Sequence, residues 1–114
     1  MKKIVILACQ KANTVCTGAG CLKAFNQKTK SFARYQNEEI ELEAFFRCNG
    51  CDVWDDGMQE KLERLISLQP DAVHMGICTK YKDGTRCPTI KRIVDALSEI
   101  GAVPVDGTHY RRKK

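Results

Sequence analysis

The chain has no stretch able to cross a bilayer. Its longest aliphatic run, Ile4–Ala8, falls far short of the roughly 20 apolar residues a helical span requires. That run follows Met1-Lys2-Lys3, which resembles the start of a secretory leader. It is too brief for a leader's apolar segment, however, and runs into Cys9-Gln10-Lys11 without a small-residue cleavage pattern. A cytoplasmic protein with no membrane partner is the expectation. No segment repeats and no low-complexity linker divides the 114 residues, a length typical of one domain. No patch interleaves basic and aromatic residues, which argues against nucleic acid as a partner. The formal charge of +5 owes four positive charges to Arg111-Arg112-Lys113-Lys114. The expected organisation is one domain over residues 1–110, close to neutral, followed by a solvated basic tail over 111–114. No general acid–base pair stands out, and Gly18-Ala19-Gly20 is only a fragment of a phosphate-binding loop.

Hydrophobic patterning predicts alternating strands and helices. Ile4–Ala8 is continuously apolar and β-branched, as in a strand covered on both faces. Leu22, Phe25, Phe32 and Ala33 follow at helical spacing. Residues 39 to 46 alternate, placing Ile40, Leu42, Ala44 and Phe46 on one face and Glu39, Glu41 and Glu43 on the other, as in an edge strand. Asp55-Asp56 offers a cap for a second helix whose stripe is Met58, Leu62, Leu65 and Ile66, ending at Pro70. Residues 72–77 read as a third strand. Cys87-Pro88 opens a third helix with Ile90, Ile93, Val94 and Leu97 on its buried face and Gly101 beyond its end. Residues 102–105 form a last strand, kept to an edge by Pro104. The expectation is an α/β fold: a single three-layer domain with a four-stranded parallel sheet in the order 2-1-3-4, flavodoxin-like or Rossmann-like.

Cysteine departs from the ordinary. There are seven, an odd number, at Cys9, Cys16, Cys21, Cys48, Cys51, Cys78 and Cys87. In a reducing compartment such a set points to metal or redox chemistry rather than to disulfide staples. Ligands of parallel sheets bind beyond the carboxyl ends of the strands. Cys9 follows the first strand, Cys48 and Cys51 the second, Cys78 the third, and His109 lies shortly after the fourth. Cys16 and Cys21 fall in the first connection and Cys87 closes the third, so all seven are expected at one edge, with none inside a helix or strand. Cys48-Asn49-Gly50-Cys51 has the C-x-x-C spacing that aims two thiolates at one ion. Cys9 and Cys78 would complete a four-thiolate shell. Cys16, Cys21, Cys87 and His109 then remain for a second site or a larger cluster. At a helix N-terminus Cys87 should favour thiolate. His74, inside the third strand, reads as a hydrogen-bonded core histidine.

The same residues resemble the CGGC-domain family over nearly the whole chain, from Ile4 to His109. The likeness rests on Cys9, Val15-Cys16-Thr17-Gly18, Cys48 and Cys51, Ala72-Val73-His74, Cys78, Cys87-Pro88 and Gly107-Thr108-His109. The central motif departs from the family's, with Asn49 standing where the first glycine would be. The resemblance implies metal binding through cysteine and histidine, with zinc favoured, and implies no reaction. Three function classes follow. The first is a protein holding zinc or an iron–sulfur cluster through its cysteines. The second is a thiol–disulfide oxidoreductase using Cys48 and Cys51. The third is a nucleotide- or flavin-binding domain, which the fold would permit.

Overall fold

Burial explains why the opening run shows no polar alternation: Ile4, Val5, Ile6 and Leu7 of strand β1 (Lys2–Ala8) are all fully buried. The computed structural model describes residues 2–9, 17–50, 54–76, 79 and 87–108. Among these, β1 lies between β2 (Ile40–Arg47) and β3 (Ala72–Met75), and β4 (Val103–Asp106) flanks β3. Every pairing is parallel and the order is β2-β1-β3-β4, as the sequence pattern predicts. Successive side chains of β1 serve opposite layers. Val5 and Leu7 face helices α2 (Asp56–Leu68) and α3 (Pro88–Glu99), in a core with Met58, Leu62, Ile90, Ile93 and Leu97. Ile4 and Ile6 face helix α1 (Ala19–Gln27) and a 3-10 segment (Lys30–Tyr35), in a core with Ala24, Phe32 and Tyr35. The result is a single three-layer α/β domain.

Capping follows the sequence closely in α2 and α3. The Asp55 carboxylate accepts the Met58 N–H at 2.8 Å, closing the first turn of α2. Pro88 occupies the first turn of α3, directly after Cys87 as N-cap, and Gly101, with φ +101°, ends that helix. The Gly101 N–H reaches Ser98 O at 3.0 Å and the Ala102 N–H reaches Leu97 O at 3.1 Å, a Schellman closure. Pro104 sits in β4, whose outer edge has no neighbouring strand among the described residues.

Two expectations need correcting. The alternation expected through 39–46 is interrupted: Ile4 pairs with Leu42 but Val5 pairs with Ala44, so Glu43 is an extra residue, a β-bulge. Past the bulge the faces exchange. Ile40, Leu42 and Phe45 pack on the α1 side, whereas Ala44 and Phe46 pack on the α2/α3 side. The helical stripe expected over 22–33 is also broken. Lys28 (φ 53°) and Lys30 (φ 54°) adopt left-handed conformations, so α1 ends at Gln27 and a 3-10 segment follows. The buried face of α1 is Cys21 and Ala24, while Leu22 points outward. Residue 77, expected to finish the third strand, lies outside the described residues, as does the basic tail.

Candidate functional site

Three of the expected thiols stand at the carboxyl edge of the sheet. Ala8 and Arg47 are register partners on β1 and β2. The next residues, Cys9 and Cys48, therefore leave neighbouring strands at the same level, where strands run roughly 4.8 Å apart. Cys48 is buried and Cys9 partly so. Cys87 is buried at the N-cap of α3, and its N–H contacts Thr79 O at 3.4 Å. Thr79 in turn folds back on the end of β3, its N–H and hydroxyl both donating to Gly76 O, at 3.0 and 2.6 Å. Cys87 is thus tied to the residue directly after Cys78. Cys48 and Cys87 belong to the same buried cluster, on the α2/α3 face.

Cys21 occupies the opposite layer. It lies in the first turn of α1, not in a connection as expected, and packs with Ile4, Ile6 and Phe32. Its sulfur is 3.0 Å from the Thr108 hydroxyl. Thr108 O also accepts the Ser31 N–H at 3.2 Å, and the Gly107 N–H donates to Met75 O at 2.8 Å. The turn leading to His109 is thereby held by α1, the 3-10 segment and β3 together. Gly107 has φ +115°, and a Cβ there would stand 2.9 Å from Ser31 Oγ, so this turn admits only glycine without strain.

His74 completes that anchorage from the core, as its position in the third strand suggests. It is fully buried and stacks on Phe32 with ring centroids 4.2 Å apart. Nδ1 lies 2.9 Å from Gly107 O and Nε2 lies 2.8 Å from the Tyr35 hydroxyl. A carbonyl only accepts, so Nδ1 carries the proton and Nε2 accepts from the phenol. Burial, with a smaller contribution from the Arg34 cation, lowers the imidazole pKa to about 4 against the opposing pull of Gly107 O. Burial likewise raises the Tyr35 phenol. Both ring nitrogens are committed, which leaves His74 a positioning role.

The Cys48-Asn49 turn opens on a cleft of about 610 Å³, lined by Phe45, Phe46, Arg47, Cys48, Asn49, Asp55 and Lys61. Asn49 is more than a turn residue. Its amide nitrogen donates to Asp55 Oδ1 at 3.0 Å and its oxygen accepts from Lys61 Nζ at 2.7 Å. Lys61 also donates to Arg47 O at 2.8 Å. The side chain that replaces the family's first glycine therefore clamps the cysteine turn to the start of α2. The Met58 N–H, followed by the Asn49 amide, holds the Asp55 carboxyl below the usual carboxylate range. The Arg47 guanidinium lies over the Phe45 ring, 5.4 Å from its centroid, and its Nε–H is buried with no acceptor among the described residues. A buried orphan donor typically costs about 1–3 kcal/mol. Asn49, Lys61 and Arg47 were not marked as functional by the sequence. The available signal was Lys61, a charge next to the stripe residues Met58 and Leu62 at the buried end of an amphipathic helix.

Cys16, Cys51, Cys78 and His109 lie outside the described residues. Among the described residues, no three of His, Cys, Asp or Glu are gathered closely enough to surround an ion. No helix among them is long and apolar enough to cross a membrane.

Comparison with known proteins agrees with the resemblance. The family model described as "CGGC domain" matches residues 3–109. An uncharacterized protein of Methanocaldococcus jannaschii is 36% identical over 120 aligned positions, covering 98% of this chain and 90% of that protein. No solved structure matches the chain.

Proposed function

Because the chain belongs to the CGGC-domain family, we propose that it is a metal-binding protein whose thiolates, at the carboxyl edge of the sheet, hold zinc or an iron–sulfur cluster. The observation that carries this reading is the placement of Cys9 and Cys48 one residue beyond the Ala8–Arg47 pair, with Cys87 tied back to Thr79. Cys51 and Cys78 are sequence neighbours of these positions and complete the proposed thiolate set. The donor chemistry fits: soft sulfur ligands on short loops suit zinc or iron–sulfur, and neither requires a catalytic base. The zinc form supplies structural cross-linking of the strand ends, and the cluster form supplies electron transfer or delivery. Cys16, Cys21 and His109 are proposed for a second site or a larger cluster, and of these Cys21 lies on the α1 side.

The dithiol alternative finds less support. A redox cysteine sits at a helix start, where the dipole stabilises thiolate. Here α2 is capped by Asp55, and residues 49–55 separate Cys48 from the helix.

The test is anaerobic purification followed by metal and acid-labile sulfide analysis. Stoichiometric zinc in a colourless sample, or iron with sulfide in a brown one, supports metal binding and identifies the metal. Cys48→Ser should then weaken retention without abolishing it, since other thiolates remain. A sample without metal whose thiols all titrate, and whose disulfide-exchange activity vanishes in Cys48→Ser, overturns the reading in favour of the dithiol enzyme.

A further inference from the structure

Beside Cys48, the cleft at the end of β2 has features that metal binding leaves unexplained. Among the described residues, two cations line it, Arg47 and Lys61, against one carboxylate, Asp55. That carboxylate is already engaged by the Met58 N–H and the Asn49 amide. Lys61 Nζ has three donors, of which Arg47 O and Asn49 Oδ1 take two. No carboxylate among the described residues pairs with the Arg47 guanidinium, and its buried Nε–H has no acceptor. Buried donors are nearly always satisfied, and an unsatisfied one asks for an explanation, such as strain, a water or an ion. The Phe45 ring, its centroid 5.4 Å from the guanidinium carbon, gives the cation a π face but no oxygen for its N–H groups.

We infer that this cleft binds a small oxyanion, a carboxylate or a phosphate, between the Arg47 guanidinium and the Lys61 ammonium. The planar guanidinium fork matches two oxygens of either group, and the ammonium adds a point charge. Its volume of about 610 Å³ suits a small metabolite rather than a bare ion. The inference does not depend on metal binding, because none of its donors is a thiol.

The test is an NMR titration of the full chain as purified, at constant ionic strength, with malonate and, in a separate arm, inorganic phosphate. Saturable shifts of the Arg47 Nε–H and the Asn49 amide are expected in at least one arm, and the tighter arm identifies the oxyanion class. Arg47→Met keeps the apolar stem and should weaken binding about tenfold, the size of one charge-assisted hydrogen bond. Lys91→Met, on the far side of α3 and paired with Asp95, should leave it unchanged. An unmoved Arg47 Nε–H in the wild-type chain with both anions overturns the inference, whether or not the variants fold. Equal affinity in Arg47→Met does so as well.

Discussion

Acidification should expose the cost of keeping His74 neutral. In the folded chain Nδ1–H donates to Gly107 O and Nε2 accepts from Tyr35. Adding a proton would leave Nε2–H facing the phenol's own proton and would bury a cation against Phe32. The folded imidazole therefore titrates at about 4, against 6.5 for an ordinary histidine. For a base with a lowered folded pKa, the unfolded state binds the proton first as pH falls. The stability from His74 is thus fully present above about pH 6.5 and is lost progressively as pH falls toward about 4. At about 1.4 kcal/mol per unit, the gap amounts to about 3 kcal/mol. Urea unfolding from pH 7 to pH 4.5, with a chelator present throughout, should show this decline. Asp55, with its lowered carboxyl, acts only further into acid. His74→Phe keeps the stacking on Phe32 and loses both hydrogen bonds. It should be less stable at pH 7 by about 2 kcal/mol, yet show a flattened slope between pH 6.5 and 4.5. An imidazole nitrogen spectrum in which His74 titrates near 6.5, or an unchanged slope in His74→Phe, would refute the reasoning.

Two further perturbations separate local from global effects. Gly107→Ala places a Cβ 2.9 Å from Ser31 Oγ at φ +115°, whereas Gly101→Ala, at φ +101°, meets nothing within 4 Å. Thermal melting should show the first losing more stability than the second, which bears only the backbone strain of about 1–2 kcal/mol; the reverse ranking would contradict the described turn. Deleting Glu43 should preserve the fold, because the pairs Ile4–Leu42 and Val5–Ala44 flank it and can join directly. Were the strand regular instead, the deletion would turn Phe45 and Phe46 to the wrong layers and the protein would not melt cooperatively.

The fold was legible wherever one physical rule acted alone. Continuous burial identified β1 as central, Pro104 marked β4 as an edge, and capping chemistry delimited α2 and α3. It was illegible where rules competed. The run Ile40, Leu42, Ala44, Phe46 satisfies a strict alternation, yet Phe45 is equally apolar and belongs to the α1-side core. Two aromatic neighbours destined for opposite layers fit equally with or without a bulge, and only the register to β1 decides. Similarly, Leu22 and Phe25 mimic a helical stripe, but Cys21 and Ala24 are the residues small enough to let α1 lie close on the sheet. The left-handed lysines at 28 and 30 carry no sequence signal of their own.

For the candidate site, topology led to the expectation of all the thiols at one edge, and packing assigns the described ones to faces. Cys21 is held to Thr108 on the α1 side, and Cys48 and Cys87 sit in the α2/α3 core. Zinc–sulfur bonds of about 2.3 Å leave the sulfurs around one ion only about 4 Å apart. Thiols from opposite layers can meet that limit only past the end of β1, where the sheet no longer separates them. Cys9 is the residue that leaves the sheet there. We therefore expect Cys9→Ser to weaken metal retention more than the loss of any other described thiol, and most of all for a site that joins both faces. By the same geometry, Cys21→Ser should disturb a mononuclear zinc site on the α2/α3 side little, and a larger cluster spanning both faces severely. Metal content of the Cys9→Ser and Cys21→Ser variants separates the cases. Full retention in Cys9→Ser would place the site away from the strand ends altogether.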